Sequence, residues 1–218
     1  MMDLKQARFN MVEQQVRPWS VLDATVLQVM ESIPRDKFVP EDLVSLAYAD
    51  IEIPLAHNES MLFPRVEGRM LQELQIDIDD ECLLVGTGSG YTTACIASMA
   101  KHVDSIDIYD DFLQQATKNL AEVNIANVTL ENKDIFSSEA SFDKKYDAIA
   151  VTGSIPEYLP IFEKLLKPSG RLFIIVGSKP VMHAYKIEKN EDKFIRATLF
   201  EAVLEPLIGS KKVSGFLF

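Results

Sequence analysis

The sequence has few of the residues that build cross-linked, metal-bound or nucleic-acid-binding proteins: among 218 residues there are two cysteines, three histidines and one tryptophan. Cys82 and Cys95 lack the paired spacing of a disulfide framework or a zinc site, so two small buried thiols in a reducing compartment are expected, and no metal. Positive charge is scarce as well. Lys plus Arg number 22 against 33 for Asp plus Glu, and the net charge of -11 repels phosphate backbones and anionic lipid surfaces. Neither nucleic acid nor a membrane is therefore an expected partner. No apolar run approaches the roughly 20 residues that cross a bilayer, and Met1-Met2-Asp3-Leu4-Lys5 carries an acid where a secretory signal would be basic. The expectation is a cytoplasmic protein, monomeric or weakly dimeric.

What is present is a globular composition, 47% hydrophobic and 25% charged, enough to bury a sizeable core. Residues 1–75 read as a helical extension, with Ala7, Met11, Val12 and Val16 at helical spacing and a second helix over 21–30 capped by Ser20. Pro18, Pro34, Pro40, Pro54 and Pro64 break this region into short pieces. Residues 76–218 change character. Apolar runs at 82–85, 103–108, 128–130, 148–151 and 172–176 have strand length, and helical patterns at 91–100, 111–123 and 158–166 separate them. Strands buried on both faces and alternating with helices predict a Rossmann-like α/β domain, with a mostly parallel central sheet covered on both faces. The tail, 197–204 and 213–218, predicts two closing strands, read as a hairpin.

The first predicted strand runs directly into Gly86-Thr87-Gly88-Ser89-Gly90-Tyr91, and a helix follows at once. Bare main chain there lets amide N–H groups approach a ligand, although a glycine triplet alone is equally a structural turn. Tyr91 stands where a dinucleotide fingerprint needs its third glycine, which suits a methyl-donor nucleoside better than a pyrophosphate. Asp107 follows Gly88 at the end of the next predicted strand, where a carboxylate can accept from both hydroxyls of a ribose. Asp134, ending the third strand region, is placed either to accept from an adenine amino group or to cap the turn after it.

With Ile33-Pro34-Arg35-Asp36-Lys37-Phe38-Val39-Pro40, Ala47-Tyr48-Ala49-Asp50, Ile53-Pro54-Leu55, the glycine string, Tyr146-Asp147-Ala148-Ile149 and Leu166-Lys167-Pro168, the chain resembles the protein-L-isoaspartate (D-aspartate) O-methyltransferase family. That resemblance implies an S-adenosylmethionine-dependent carboxyl methyltransferase that leaves S-adenosylhomocysteine as product. The implied acceptor is the free α-carboxylate of an isoaspartyl residue in a damaged protein or peptide. Its implied donor site comprises Gly86, Thr87, Gly88, Ser89, Gly90, Asp107, Ile108, Asp134, Ile135 and Thr152, with Ser60 on the acceptor side as the catalytic candidate. A carboxylate with a pKa of about 4 is already ionised at neutral pH, so the reaction needs no general base and no catalytic histidine or triad is expected.

The acceptor segment Asn58-Glu59-Ser60-Met61-Leu62-Phe63-Pro64 departs from the family's string, with Leu62 at its functional serine and Glu59 at a neutral amide. Those changes remove a donor and add a like charge, unless Arg65, Arg69 or His57 turns inward to compensate. Met61-Leu62-Phe63 also reads as an apolar cover over the donor site. Leu84, two before Gly86, replaces a family acid and predicts weaker donor binding. Two alternatives stay open: a same-fold methyltransferase with a small-molecule or amine acceptor, and a non-catalytic homologue that binds S-adenosylmethionine.

Overall fold

A computed structural model describes residues 3–138, 141–191 and 193–210, beginning with a run of short helices. In α1 (Leu4–Met11) the Asp3 side chain accepts from the amides of Lys5 and Gln6, and the chain continues through wider and tighter turns at Val12–Val16 and Arg17–Trp19. Helix α2 (Ala24–Ser32) is capped by Asp23, which accepts from Thr25 N and Val26 N. The cap expected at Ser20 is thus displaced by three residues. Ser20 is left-handed, at φ 63°, and closes the preceding turn, whereas extended Asp23 lets its carboxylate reach the first free amides.

A two-stranded hairpin follows, β1 (Ile53–Pro54) against β2 (Ser60–Met61), and then α3 (Pro64–Leu74). Proline at the first helical position suits α3, whose missing amide proton would have had no partner anyway. Its Val66, Met70, Leu71 and Leu74 are buried against the same core as Met11, Val16 and Met30.

Beyond α3 come β3 (Glu81–Val85), α4 (Tyr91–Ala97), β4 (His102–Asp107), α5 (Asp110–Glu122), β5 (Val128–Asn132), β6 (Tyr146–Ile155), α6 (Ile161–Lys164), β7 (Leu166–Ser178), β8 (Val181–Asn190) and β9 (Lys193–Glu201). The sheet order is β5-β4-β3-β6-β7-β8-β9, parallel from β5 to β7 and antiparallel at the last two pairings. Central strands show why continuous apolar runs were needed. In β3, Cys82 and Leu84 face the core shared with the N-terminal helices, while Leu83 and Val85 face the core on the other side. The Rossmann-like expectation holds.

The structure departs from expectation at α6 and β8. The helix expected over 158–166 is only α6, because Pro156 and Pro160 break its start and Leu166 already belongs to β7. Strand β9 pairs with β8 as a hairpin, and the other closing strand expected, 213–218, lies outside the described residues. Strand β8 was not anticipated, since Met182, Ala184 and Ile187 are its buried residues and charged side chains interrupt them.

Candidate active site

All the parallel strands present their C-terminal ends to one side, where open α/β sheets leave a crevice. There β3 stops at Val85 and the chain turns through residues 86–90 into α4. Gly86 takes φ 94°, and a Cβ on it would fall 2.2 Å from Thr152 Oγ1; Gly90 takes φ 87°, with Ala116 Cβ 3.0 Å from where its own Cβ would be. Only glycine fits both demands. From β6, Thr152 Oγ1 donates toward the carbonyls of Val85 and Gly86 at 3.1 and 2.9 Å, fastening the loop to the sheet. The Thr87 hydroxyl lies 2.7 Å from that of Ser105 and the Ser89 carbonyl accepts from Asn119 Nδ2 at 2.9 Å. Thr87 therefore has its side chain engaged with the sheet, and its main chain is what it offers a ligand. Leu84 is fully buried in the core below.

Asp107, at the tip of β4, accepts from Gly88 N at 3.0 Å on one oxygen and from Tyr109 N at 3.1 Å on the other. Burial raises its proton affinity, and hydrogen bonds from the loop amides work against that rise. Each carboxylate oxygen keeps further acceptor capacity toward the crevice. Ile108 and buried Ile135 line the same space, as does Asp134, whose Oδ1 accepts from Phe136 N at 2.8 Å. Asp134 thus caps its turn while bordering the crevice.

The opposite wall is the β1–β2 hairpin, which contributes Leu55, Glu59, Ser60, Met61 and Leu62 to a crevice of about 980 Å³. Ser60 is exposed at its mouth. The Leu62 side chain is buried, and its carbonyl accepts from Arg35 Nη2 at 2.7 Å. Arg35 has no exposed surface; it pairs with buried Glu67, and its guanidinium lies 4.7 Å over the Tyr91 ring. Glu67 also accepts from Thr92 Oγ1 at 3.0 Å, so one ionic cluster joins the acceptor-side strand to the helix after the glycine loop.

None of the three expected compensating cations turns inward. Arg65 pairs with Asp50 and lies over Phe63, and Arg69 pairs with Glu73 at 3.0 Å. His57 stacks on Tyr109 at 3.8 Å, nearly parallel, with Nε2 2.8 Å from Asp111 Oδ2. Lining the crevice are instead Glu52, Glu59, Glu67, Asp107, Asp134 and Glu205, with Lys133 as the cation among the described lining residues.

Sequence spacing missed Arg35 and Glu67, whose partnership spans 32 positions. It also missed residues 204–208, which return to the sheet through Ser154 N to Glu205 O at 2.9 Å and Leu207 N to Ser154 O at 2.8 Å. Arg35 opens the charged run Arg35-Asp36-Lys37, which gave no local sign of its burial, and for 204–208 nothing in the pattern marked a crevice wall.

The family model for protein-L-isoaspartate(D-aspartate) O-methyltransferase matches residues 6–212. A protein-L-isoaspartate O-methyltransferase of Petrotoga mobilis is 32% identical over 210 residues, covering 95% of this chain and 98% of that one. One of Methanoculleus marisnigri is 33% identical over 209 residues, covering 94% and 93%. Among solved structures, one from Plasmodium falciparum described as such an enzyme in complex with S-adenosyl-L-homocysteine superposes with a TM-score of 0.81 at 22% identity, covering 92% of this chain and 97% of that one. Match length and identity place the sequence on the same footing as its fold: the chain belongs to the protein-L-isoaspartate(D-aspartate) O-methyltransferase family.

Proposed function

We propose that the crevice binds S-adenosylmethionine and that the protein transfers its methyl group to the α-carboxylate left free by an isoaspartyl residue in a protein or peptide. The observation that carries this reading is the bond from Gly88 N to Asp107, which sets a partly unsatisfied carboxylate at the lip of a bare main-chain loop. In this reading Asp107 accepts from ribose hydroxyls, and the main chain of Gly86, Thr87, Gly88, Ser89 and Gly90 follows the rest of the donor. Ile108 and Ile135 form apolar sides for the adenine, Asp134 faces its amino group, and Thr152 holds the loop in register. Ser60 donates to the acceptor. What the donor supplies, when bound, is a methyl group on a sulfonium centre, released to an incoming oxygen in one displacement. The chain's own work is to hold the two in line, a contribution worth as much as ~7–11 kcal/mol. Residues 1–75 act as the acceptor-side cover of the sheet domain. Buried Cys82 and Cys95 support a reducing, cytoplasmic setting, and the acidic surface supports a protein acceptor over nucleic acid. We keep a monomer or weak dimer as the proposed state.

The crevice's acidic lining favours one second reading, an amine or other cationic acceptor. Matched isoaspartyl and aspartyl peptides incubated with methyl-labelled S-adenosylmethionine separate the two. Base-labile label on the isoaspartyl peptide alone is expected; label on neither, with the donor still bound, supports the second reading.

A further inference from the structure

The acceptor end of the crevice poses an electrostatic conflict. On the reading above, a carboxylate must enter a space already bordered by carboxylates. Glu59 is half-buried beside Ser60 and lines that space. Leu62, two residues on, offers no hydroxyl.

The charged and titratable groups facing Glu59 come from three elements. His57 is on its own hairpin, Asp107 and Tyr109 are at the tip of β4, and Glu205 lies on the segment after β9. Glu52, before β1, adds a further carboxylate beside Glu205. The nearby cations are spoken for: His57 is held on Asp111 and Tyr109, Lys179 pairs with Glu205, and Arg65 pairs with Asp50. Asp107 differs from Glu59, because two main-chain amides hold its carboxylate.

We propose that Glu59 decides whether the site admits a carboxylate: protonated, it donates a hydrogen bond to one acceptor oxygen, and ionised, it repels the acceptor. Two carboxylates at close range share a proton because both cannot ionise without strong repulsion. Burial, followed by the fields of Asp107 and Glu205, raises the proton affinity of Glu59, with His57 opposing. The transfer itself remains balanced without Glu59 acting as acid or base. One acceptor oxygen forms the new C–O bond as the S–C bond breaks, and Glu59 retains its proton, which it shares in a hydrogen bond to the other acceptor oxygen. The inference rests on the carboxylate-acceptor reading and assigns Glu59 as a specificity-determining residue within it.

The test is kcat/KM for an N-acetylated, histidine-free isoaspartyl peptide between pH 5 and 9, with the wild type, Glu59→Gln and Glu59→Ser. Peptide affinity for the S-adenosylhomocysteine complex is measured alongside. Wild-type kcat/KM is expected to fall about tenfold per pH unit above the titration of Glu59. Glu59→Gln, a permanent donor, stays level there and exceeds the wild type by about tenfold or more at pH 8.5. Affinity follows the same pattern. Superimposable profiles, or a folded Glu59→Gln below the wild type at every pH, overturn the proposal. Should Glu59→Gln fail to fold, a wild-type profile that is level from pH 6 to 9 overturns it equally. Should none of the three proteins methylate the peptide at any pH, the carboxylate-acceptor reading falls and takes this inference with it. A wild type that methylates with the profile of Glu59→Gln removes the role of Glu59 alone.

Discussion

Removing a charge from the interior leaves its partner stranded, and Arg35 with Glu67 is the pair on which this protein is most exposed to that penalty. Arg35→Met keeps the volume and strands a fully buried carboxylate, which should destabilise the fold by about 3–5 kcal/mol. Arg35→Met combined with Glu67→Leu should recover most of that loss, because an apolar pair needs no solvation. Urea unfolding of both variants checks this, and a single substitution costing under about 1 kcal/mol would contradict it. The same pair shows where residue-level reading of a sequence stops. Asp107 could be placed from its offset to Gly88 because one strand–turn–helix unit fixes both. Arg35, on the short turn Arg35–Lys37 after α2, meets Glu67 of α3 only through tertiary packing, and no local spacing encodes that meeting.

At the scale of elements, the β1–β2 hairpin is the part most directly placed to control the crevice. His57 and Asn58 both have positive φ, 60° and 61°, which is uncommon for residues with side chains. The conformation brings the His57 ring flat onto Tyr109 and its Nε2 to Asp111, tying the hairpin to the tip of β4 and the start of α5. An aromatic stack of this kind is worth about 0.5–1.5 kcal/mol. His57→Ala should therefore weaken S-adenosylhomocysteine binding by about 2- to 10-fold, measured by calorimetry. Unchanged affinity would show that the hairpin's tie does not bear on the donor. Elements were legible in the sequence where burial on both faces left an unbroken apolar run, as in β3 and β6. They were obscured where one face meets solvent, as in β8, or where prolines shortened a helix, as in α6. The hairpin's two short strands carry too few residues to show any period at all.

For the molecule as a whole, the balance of carboxyl groups sets the pH at which the fold is firmest. Burial raises the proton affinity of Glu52, Glu59, Glu67 and Asp107 above their ordinary values. Each favours the folded state while protonated, so the fold loses stability as pH rises from the unfolded carboxyl range near 4 through the higher folded values. Asp104 and Asp147 run the other way. Although burial opposes it, bonds from Lys144 and Tyr146 to Asp104, and from Lys167 and Glu81 N to Asp147, hold these two carboxyls low. Their contribution is present above about pH 4 and is lost as pH falls through their folded values. With a net charge of -11 adding self-repulsion at neutral pH, the melting temperature should be higher at pH 5.5 than at 7.5 and should fall again well below pH 4. Calorimetric scans across that range decide it, and a melting temperature that rises steadily from 5.5 to 7.5 would refute the assignment.

The central claim is that the glycine loop and Asp107 together cradle the nucleoside of a methyl donor. Titration of S-adenosylhomocysteine into the wild type and into Asp107→Ala, at equal ionic strength, tests it most directly. Hydrogen bonds to a charged group contribute about 1.5–3 kcal/mol, so saturable binding of one equivalent is expected for the wild type and a weakening of about 10- to 150-fold for the variant. No heat of binding to the wild type, or equal affinity in a folded Asp107→Ala, would contradict it.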